Sequence, residues 1–208
     1  MLRKLFLESS RGRIAALLRR ENLTAEELAS RLDVTTSAVR AQLASMERDG
    51  LVRRAGQKRG TTRPSHVFEL TTEVEQLLSG LYIPMLTHLM GVFASEVRPD
   101  HLKRIMRRTG KSMAADFVHA RTPGSLEARV NAANQLLITQ LGAVTHITRK
   151  NGSFSINGAA CPIAGITGKH PSACLVVEGF LQEMIGAQVR ECCDRTGRPR
   201  CCFEVKPR

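Results

Sequence analysis

Six cysteines stand in this chain of 208 residues, and four of them form two adjacent pairs, Cys192-Cys193 and Cys201-Cys202, inside the stretch RECCDRTGRPRCCFEV. The other two, Cys161 and Cys174, lie upstream with twelve residues between them. Thiolates suit zinc and iron–sulfur clusters, whereas a disulfide frame belongs to an oxidising compartment. The N-terminal run Met1-Leu-Arg-Lys-Leu-Phe-Leu has neither a long apolar region nor a cleavage site. No stretch reaches the roughly 20 apolar residues of a spanning helix. The expectation is a cytoplasmic protein without membrane contact, whose cysteines are metal ligands or reactive thiols.

The elements that must position these thiols can be read from turn and capping signals. Pro171 at a first turn and Gly186 after Ile185 predict a helix over 171–185. Cys174 then sits near a helix N-terminus, where the dipole lowers a thiol's pKa. The stretch around Gly197 predicts a β-hairpin. If it is symmetric about Gly197, Cys193 faces Cys201 and Cys192 faces Cys202, and only one pair can look inward. Cys201 shares its face with Phe203 and Val205, and Cys202 shares its face with Glu204 and Lys206. The inward pair is therefore Cys193 and Cys201, and a one-residue change of register would exchange it for Cys192 and Cys202. The candidate metal ligands are Cys161, Cys174, Cys193 and Cys201, with Cys192, Cys202 and His170 as alternates. His170 precedes Pro171, so it is either a ligand, a donor to a cluster sulfur or a local cap. Structural zinc sites use knuckles of two cysteines about two to four residues apart. Gaps of twelve, eighteen and seven residues are unlike that. By spacing alone an iron–sulfur cluster, zinc and metal-free thiols all remain open.

The rest of the chain points to nucleic acid. Lys and Arg number 31 against 19 Asp and Glu, a formal charge of +12, which concentrates polyanions. Aromatics are 4%, with no Trp, so base stacking is not the expected mode. Helical periodicity over Arg11–Arg20 is followed by Thr24 with Glu27 as a capping box, and by Leu28 and Leu32 on the apolar side. A third helix from about Thr36 to Asp49 stops at Gly50. Its Val39, Leu43 and Met46 face inward, while Thr36, Ser37, Arg40 and Ala41 face out as a recognition surface. Leu51-Val-Arg-Arg54 and Ser65–Leu70 read as strands around the basic loop Gln57–Pro64, whose Lys58, Arg59 and Arg63 would hold phosphates.

Beyond Val74, apolar stripes through Leu77, Leu78, Leu81, Met85, Leu86, Leu89 and Met90 predict helix, with Pro84 a kink or break. Pro99 opens another helix and 126–141 a third. These helices are the expected contact of a homodimer on two half-sites of a double-stranded DNA operator. Lys150-Asn-Gly152 predicts a hairpin between 143–149 and 153–157. The expected class is α+β: a winged helix-turn-helix over 1–72, a helical linker and dimerisation segment over 73–124, and a cysteine-rich α+β sensor domain over 125–208.

Two stretches add a resemblance. Arg63-Pro-Ser-His-Val-Phe-Glu-Leu-Thr71 is similar to the wing exit of winged-helix repressors of the ArsR and DeoR type. The segment from Cys161-Pro-Ile-Ala through His170-Pro-Ser-Ala-Cys174, Glu178 and Met184-Ile-Gly186 to Gly197-Arg-Pro-Arg-Cys201-Cys-Phe resembles the sensor domain of SufR-type repressors. The twelve-residue gap between Cys161 and Cys174 matches that family's pattern. The resemblance implies an iron–sulfur cluster, [4Fe–4S], on Cys161, Cys174 and a late cysteine, Cys201 or Cys202. The fourth ligand is Cys193, Cys192 or a non-cysteine group. It implies a repressor that binds its operator with the cluster and releases it without. A thiol-redox or zinc-containing regulator is the alternative. No phosphate-cradling glycine loop, paired carboxylates or nucleophile–base motif is visible, so the chain is not read as an enzyme. A small cysteine-rich redox subunit is the one enzymatic alternative.

Overall fold

The computed structural model describes residues 8–59, 64–150, 152–195, 197 and 199–207. The chain divides into two compact units, Met1–Gly80 and Leu81–Arg208. Together they are α+β, with a winged helix-turn-helix at the N-terminus and a cysteine-rich α+β region at the C-terminus.

In the first unit α1 spans Ser10–Leu18, β1 Leu23–Thr24, α2 Ala25–Leu32 and α3 Thr36–Arg48. Thr24 and Glu27 form the expected capping box. The Glu27 N–H donates to Thr24 Oγ1 over 3.2 Å, and the Thr24 N–H donates to Glu27 Oε2 over 2.7 Å. Asp33 takes the left-handed conformation, φ 54°, and so ends α2 within one residue. The strands β2, Val52–Lys58, and β3, Ser65–Leu70, form the wing in the order β1-β3-β2. The expected strand over Leu51–Arg54 runs on to Lys58, because a bulge between Arg54 and Gly56 lets the pairing continue to Ser65. Leu28, Val39, Leu43, Met46 and Val52 are fully buried in one core, closed by Val74 and Leu78 of α4, Thr72–Leu78.

In the second unit α5 spans Tyr82–Glu96, α6 Pro99–Ala115 and α7 Leu126–Thr139, the last capped by Ser125. Pro84 does not kink a helix. The helical run has already ended at Ser79, and Pro84 lies in the first turn of α5, where a missing N–H costs nothing. Four antiparallel strands follow the order β4-β5-β7-β6: β4 Thr145–Lys150, β5 Ser153–Gly158, β6 Gln188–Glu191 and β7 Cys202–Lys206. Between β5 and β6 lie α8, Ala164–Thr167, a 3₁₀ turn at Pro171–Ala173, and α9, Cys174–Ile185. The expected single helix over 171–185 is thus a 3₁₀ turn leading into an α-helix. Phe154, Ile156, Phe203, Val205 and Val189 on one face of the sheet pack with Phe180, Leu181 and Ile185 of α9 and with α7. Among the described residues no single helix is long and apolar enough to cross a membrane.

α6 and α9 cross on two glycines. A Cβ on Gly110 would stand 1.9 Å from the Val176 carbonyl oxygen, and one on Gly179 would stand 2.2 Å from the Arg107 carbonyl oxygen. Neither backbone can yield, so only hydrogen fits at either position. Gly110→Ala is therefore expected to destabilise the chain by about 2–3 kcal/mol or more, read as a lowered urea midpoint. Alanine at the open, helical Gly91 serves as the comparison, since its Cβ would meet only the edge of the His170 ring, 3.7 Å away.

Candidate thiol centre and DNA-facing surface

The late hairpin places its cysteines through strict strand register. Gln188 pairs with Lys206 and Glu191 with Phe203, and a bridge joins Asp194 to Arg200. Continuing that register sets Cys192 opposite Cys202 and Cys193 opposite Cys201, symmetric about Gly197, which takes φ 61°. The two pairs separate by face. Cys192 and Cys202 point outward and form a disulfide, with Cα atoms 5.0 Å apart. Cys193 and Cys201 remain free and pack against the sheet's core. A bridge between facing doublet cysteines belongs to the thiol-redox alternative and not to the reading of the cysteines as metal ligands. It also removes Cys192 and Cys202 as alternate ligands for as long as it persists. Directly opposed Cβ atoms on adjacent antiparallel strands are within bridging reach.

On the inward face Cys193 meets Cys174, the first residue of α9. Cys174, Glu191 and Cys193 bring one sulfur or oxygen atom each within 4.8 Å of one another. The Cys174 thiol faces the Cys193 sulfur as donor, and the Cys193 thiol in turn faces the Cys201 sulfur. The Cys202 N–H adds a 3.3 Å bond to the Cys193 sulfur. Glu191 follows from the pleat that selects Cys193. Val189, Glu191 and Cys193 are alternate residues and share the inward face. The period of two along the strand is the sequence signal that places this carboxylate at the centre, and it was missing from the expected ligand set.

Other expected ligands stand apart. Cys161 Sγ lies 3.6 Å from Thr167 Oγ1 and does not join the group. The His170 ring lies beside Gly91 of α5.

A second layer holds the carboxylate. Glu191 Oε1 accepts from the Cys193 N–H at 2.7 Å and from Arg195 at 2.9 Å. The Glu191 N–H in turn donates to Glu178 Oε2 at 2.8 Å. Glu178, buried in α9, takes a 2.6 Å bond from Arg107 Nε of α6. The thiols respond to these neighbours. The hydrogen bond to Cys193, then burial, raises the Cys174 pKa above its ordinary value, and Arg195 offsets only part of this. The expected dipole-lowered thiol is thus corrected, since Cys174 is 3% exposed and pressed against a second sulfur. For Cys193 the bond from Cys174 lowers the pKa. The bond with Cys201 and burial outweigh it, and the thiol is pushed up to about 12.

In the first unit the recognition helix offers Ser37, Arg40 and Ala41 to solvent, with Thr36 half-buried at its first turn. Thr35 caps it, accepting from the Ala38 N–H at 3.3 Å. Arg40 is held by Glu26 at 2.5 Å and Lys58 by Glu27 at 3.1 Å. Arg59 is exposed. Arg63 lies outside the described residues.

Residues 13–60 match the model of the MarR family, and this unit has the winged-helix fold of MarR-type transcription regulators. No curated protein matches the chain. Among solved structures, HlyU from Vibrio cholerae is 27% identical over 42% of this chain and 88% of its own, at a TM-score of 0.29. The transcriptional regulator BldR from Sulfolobus solfataricus is 27% identical over 46% of this chain and 70% of its own, at 0.27. Bacillus subtilis PadR, solved with operator DNA, is 15% identical over 85% and 93%, at 0.32. At these scores the likenesses do not establish a common whole-chain architecture.

The raised thiol pKa values bear on stability. Folding favours the protonated thiols, so their contribution is complete below the ordinary value of 9.0 and is lost as pH climbs toward about 12. In metal-free protein the urea midpoint is expected to fall between pH 9 and pH 11. In Cys193→Ala that fall should be much shallower. An equal fall in both proteins would count against a coupled thiol pair.

Proposed function

We propose that the chain is a DNA-binding transcription regulator of MarR type, acting as a homodimer, whose affinity for its operator follows the state of the thiol centre. The match of residues 13–60 to the MarR family carries the DNA reading. In support, Ser37 and Arg40 are exposed on the helix that enters the major groove in such modules. Arg40, Lys58 and Arg59 lie within a region of residues 1–71 that has fourteen Lys and Arg against eight Asp and Glu. Glu26 and Glu27 hold Arg40 and Lys58 in readiness and give way to phosphate, which carries more charge and more acceptors.

The sensory part rests on Cys174, Glu191 and Cys193, with Cys201 beside Cys193. Two or three thiolates with a carboxylate suit zinc or iron. These residues would hold such a metal. A bound iron–sulfur cluster would supply sensitivity to iron and oxidant. The SufR-like motifs support a [4Fe–4S] cluster, and Cys161 would have to leave Thr167 to serve as a ligand. Zinc is the second reading, favoured by the compactness of the Cys174–Glu191–Cys193 group. In the zinc reading ligation draws on Glu191, and in both it draws on Cys193 beside it; Glu191 is tied through its own N–H to Glu178 and thence to Arg107 of α6. A change at the centre therefore reaches α6 by hydrogen bonds between rigid elements.

For the dimer, α5 supplies a surface. Tyr82, Met85, Leu89 and Val92 follow the alternating three- and four-residue spacing of a coiled-coil seam and are 45%, 49%, 46% and 57% exposed. With Leu81, Ile83 and Leu86 they present on the order of 700 Å² per copy, near the ~800 Å² per partner of a standard interface. No charged residue lies between Glu75 and Glu96, so two copies of a +12 chain can meet here without repulsion.

Three measurements test this reading. On DNA enriched from a random duplex library, Lys58→Ala/Arg59→Ala is expected to weaken binding and to lower the salt slope by about 2. Arg40→Ala is expected to cost about 1–3 kcal/mol and relax base preference; equal affinity for all sequences in the wild type would sink the proposal. Leu89→Glu should convert a dimer to a monomer in sedimentation, with circular dichroism unchanged. Iron, sulfide and zinc content after anaerobic purification decides the metal. Loss of bound metal in Cys174→Ala, with weakened operator binding, is the expected result.

A further inference from the structure

We infer that the outward pair Cys192–Cys202 is a site of thiol–disulfide exchange with a small dithiol or a dithiol protein, and that its state sets how tightly the inward thiols bind metal. The second half of this inference rests on the metal reading above; the first does not.

The two faces of one hairpin do different chemistry here. Cys192 is exposed and Cys202 half-buried, so the disulfide is open to an attacking thiolate at the Cys192 sulfur. In that step the reductant's thiolate bonds to Cys192 Sγ and the Cys192–Cys202 bond breaks. Cys202 leaves as thiolate and takes a proton. The reductant's second thiol then closes on the first and releases Cys192 as a thiol. Two electrons pass to the protein, and the reductant ends as a disulfide. Oxidation by a disulfide of the same class reverses each step.

The coupling is local and visible. The Cys202 N–H that donates to Cys193 Sγ belongs to the residue that carries the outer bridge, and the Cys193 thiol returns to the Cys202 carbonyl oxygen at 3.6 Å. Cys192 is also the neighbour of Cys193 along the chain, and its N–H donates to the Cys202 carbonyl at 2.8 Å. The crosslink thus clamps both strands one residue away from the inward pair. Beyond it, the next backbone pairing of the two strands is the Asp194–Arg200 bridge. With the clamp closed, Cys193 is held at Cys174 before metal arrives, so less ordering remains to oppose binding. Opening the clamp should weaken metal binding roughly two- to tenfold, corresponding to the ordering of one side chain.

The experiment uses the whole 208-residue chain, free of metal. Maleimide labelling under denaturing conditions, read by mass spectrometry, counts free thiols after equilibration with dithiothreitol at graded ratios of reduced to oxidised form. Four thiols rising to six, with Cys192 and Cys202 newly labelled and the change reversed by the oxidised reagent, is the expected result. Six thiols at every ratio, or a different pair protected, would overturn the exchange site whatever the metal does. Cobalt(II) is then titrated into the oxidised protein, into anaerobically reduced and desalted protein, and into Cys192→Ser/Cys202→Ser. Sulfur-to-cobalt absorption reports the affinity. Weaker binding in the reduced protein and the variant supports the coupling, and equal affinity in all three refutes it. Because the same wild-type chain is compared in both states, a variant that fails to fold does not remove the test. Absence of cobalt absorption in every form would fail the metal reading and the coupling together, while the thiol count would still decide the exchange site.

Discussion

A carboxylate that is 4% exposed must be met by charge or by donors, because removing it from water costs several kcal/mol if it stands alone. Glu178 meets both needs. One oxygen takes the Arg107 Nε at 2.6 Å and the other takes the Glu191 N–H at 2.8 Å. Each bond belongs to a different element, so this single side chain on α9 specifies where α6 and the end of β6 must lie. Much of the second unit follows from it. Once the Glu191 backbone is fixed, its side chain and Cys193 are delivered to Cys174, one turn before Glu178 on the same helix.

The close crossing of α6 and α9 makes that delivery stiff. With backbones in contact at Gly110 and Gly179, the helices cannot slide without breaking contact over both glycines. Arg107 stands one turn before Gly110, and its own carbonyl is the atom that a side chain on Gly179 would strike. The ion pair and the glycine contacts therefore describe one joint. Glu191 is joined to this crossing by hydrogen bonds, its N–H to Glu178 and Glu178 to Arg107.

What could be read in the sequence divides along physical lines. The Thr24–Glu27 cap, the recognition helix with its buried Val39, Leu43 and Met46, and the hairpin about Gly197 all depend on interactions within a few residues, and all were legible. The exclusive faces of Cys192 and Cys193 were legible for the same reason, since a pleat has a period of two. The partner of Cys193 was not. Its meeting with Cys174 and the separation of Cys161 depend on how α9 packs across the sheet, and a spacing of twelve residues carries no such information. The raised pKa of Cys174 was hidden similarly. Helix position alone suggested a lowered value, but burial and a neighbouring sulfur outweigh a dipole worth about 1 kcal/mol or less at such a position.

The charge distribution fits this division of labour. Every described base on the recognition helix or wing that has an ion-pair partner in the first unit is held by a glutamate of α2, α3 or β3: Arg40 by Glu26, Lys58 by Glu27, Arg54 by Glu47 and Arg53 by Glu69. These pairs are exposed, so each adds little to stability. They order long side chains at the surface while leaving the net charge of the unit positive. In the second unit Arg107 and Arg195 instead turn inward to carboxylates beside the thiols. Positive charge is thus held in two ways in one chain: loosely at the exposed surface, and tightly at the centre, where it fixes Glu191 and Glu178 in place. Substituting a surface arginine should change binding without disturbing the fold, whereas removing Arg107 leaves a buried carboxylate uncompensated and must disturb both the fold and the centre.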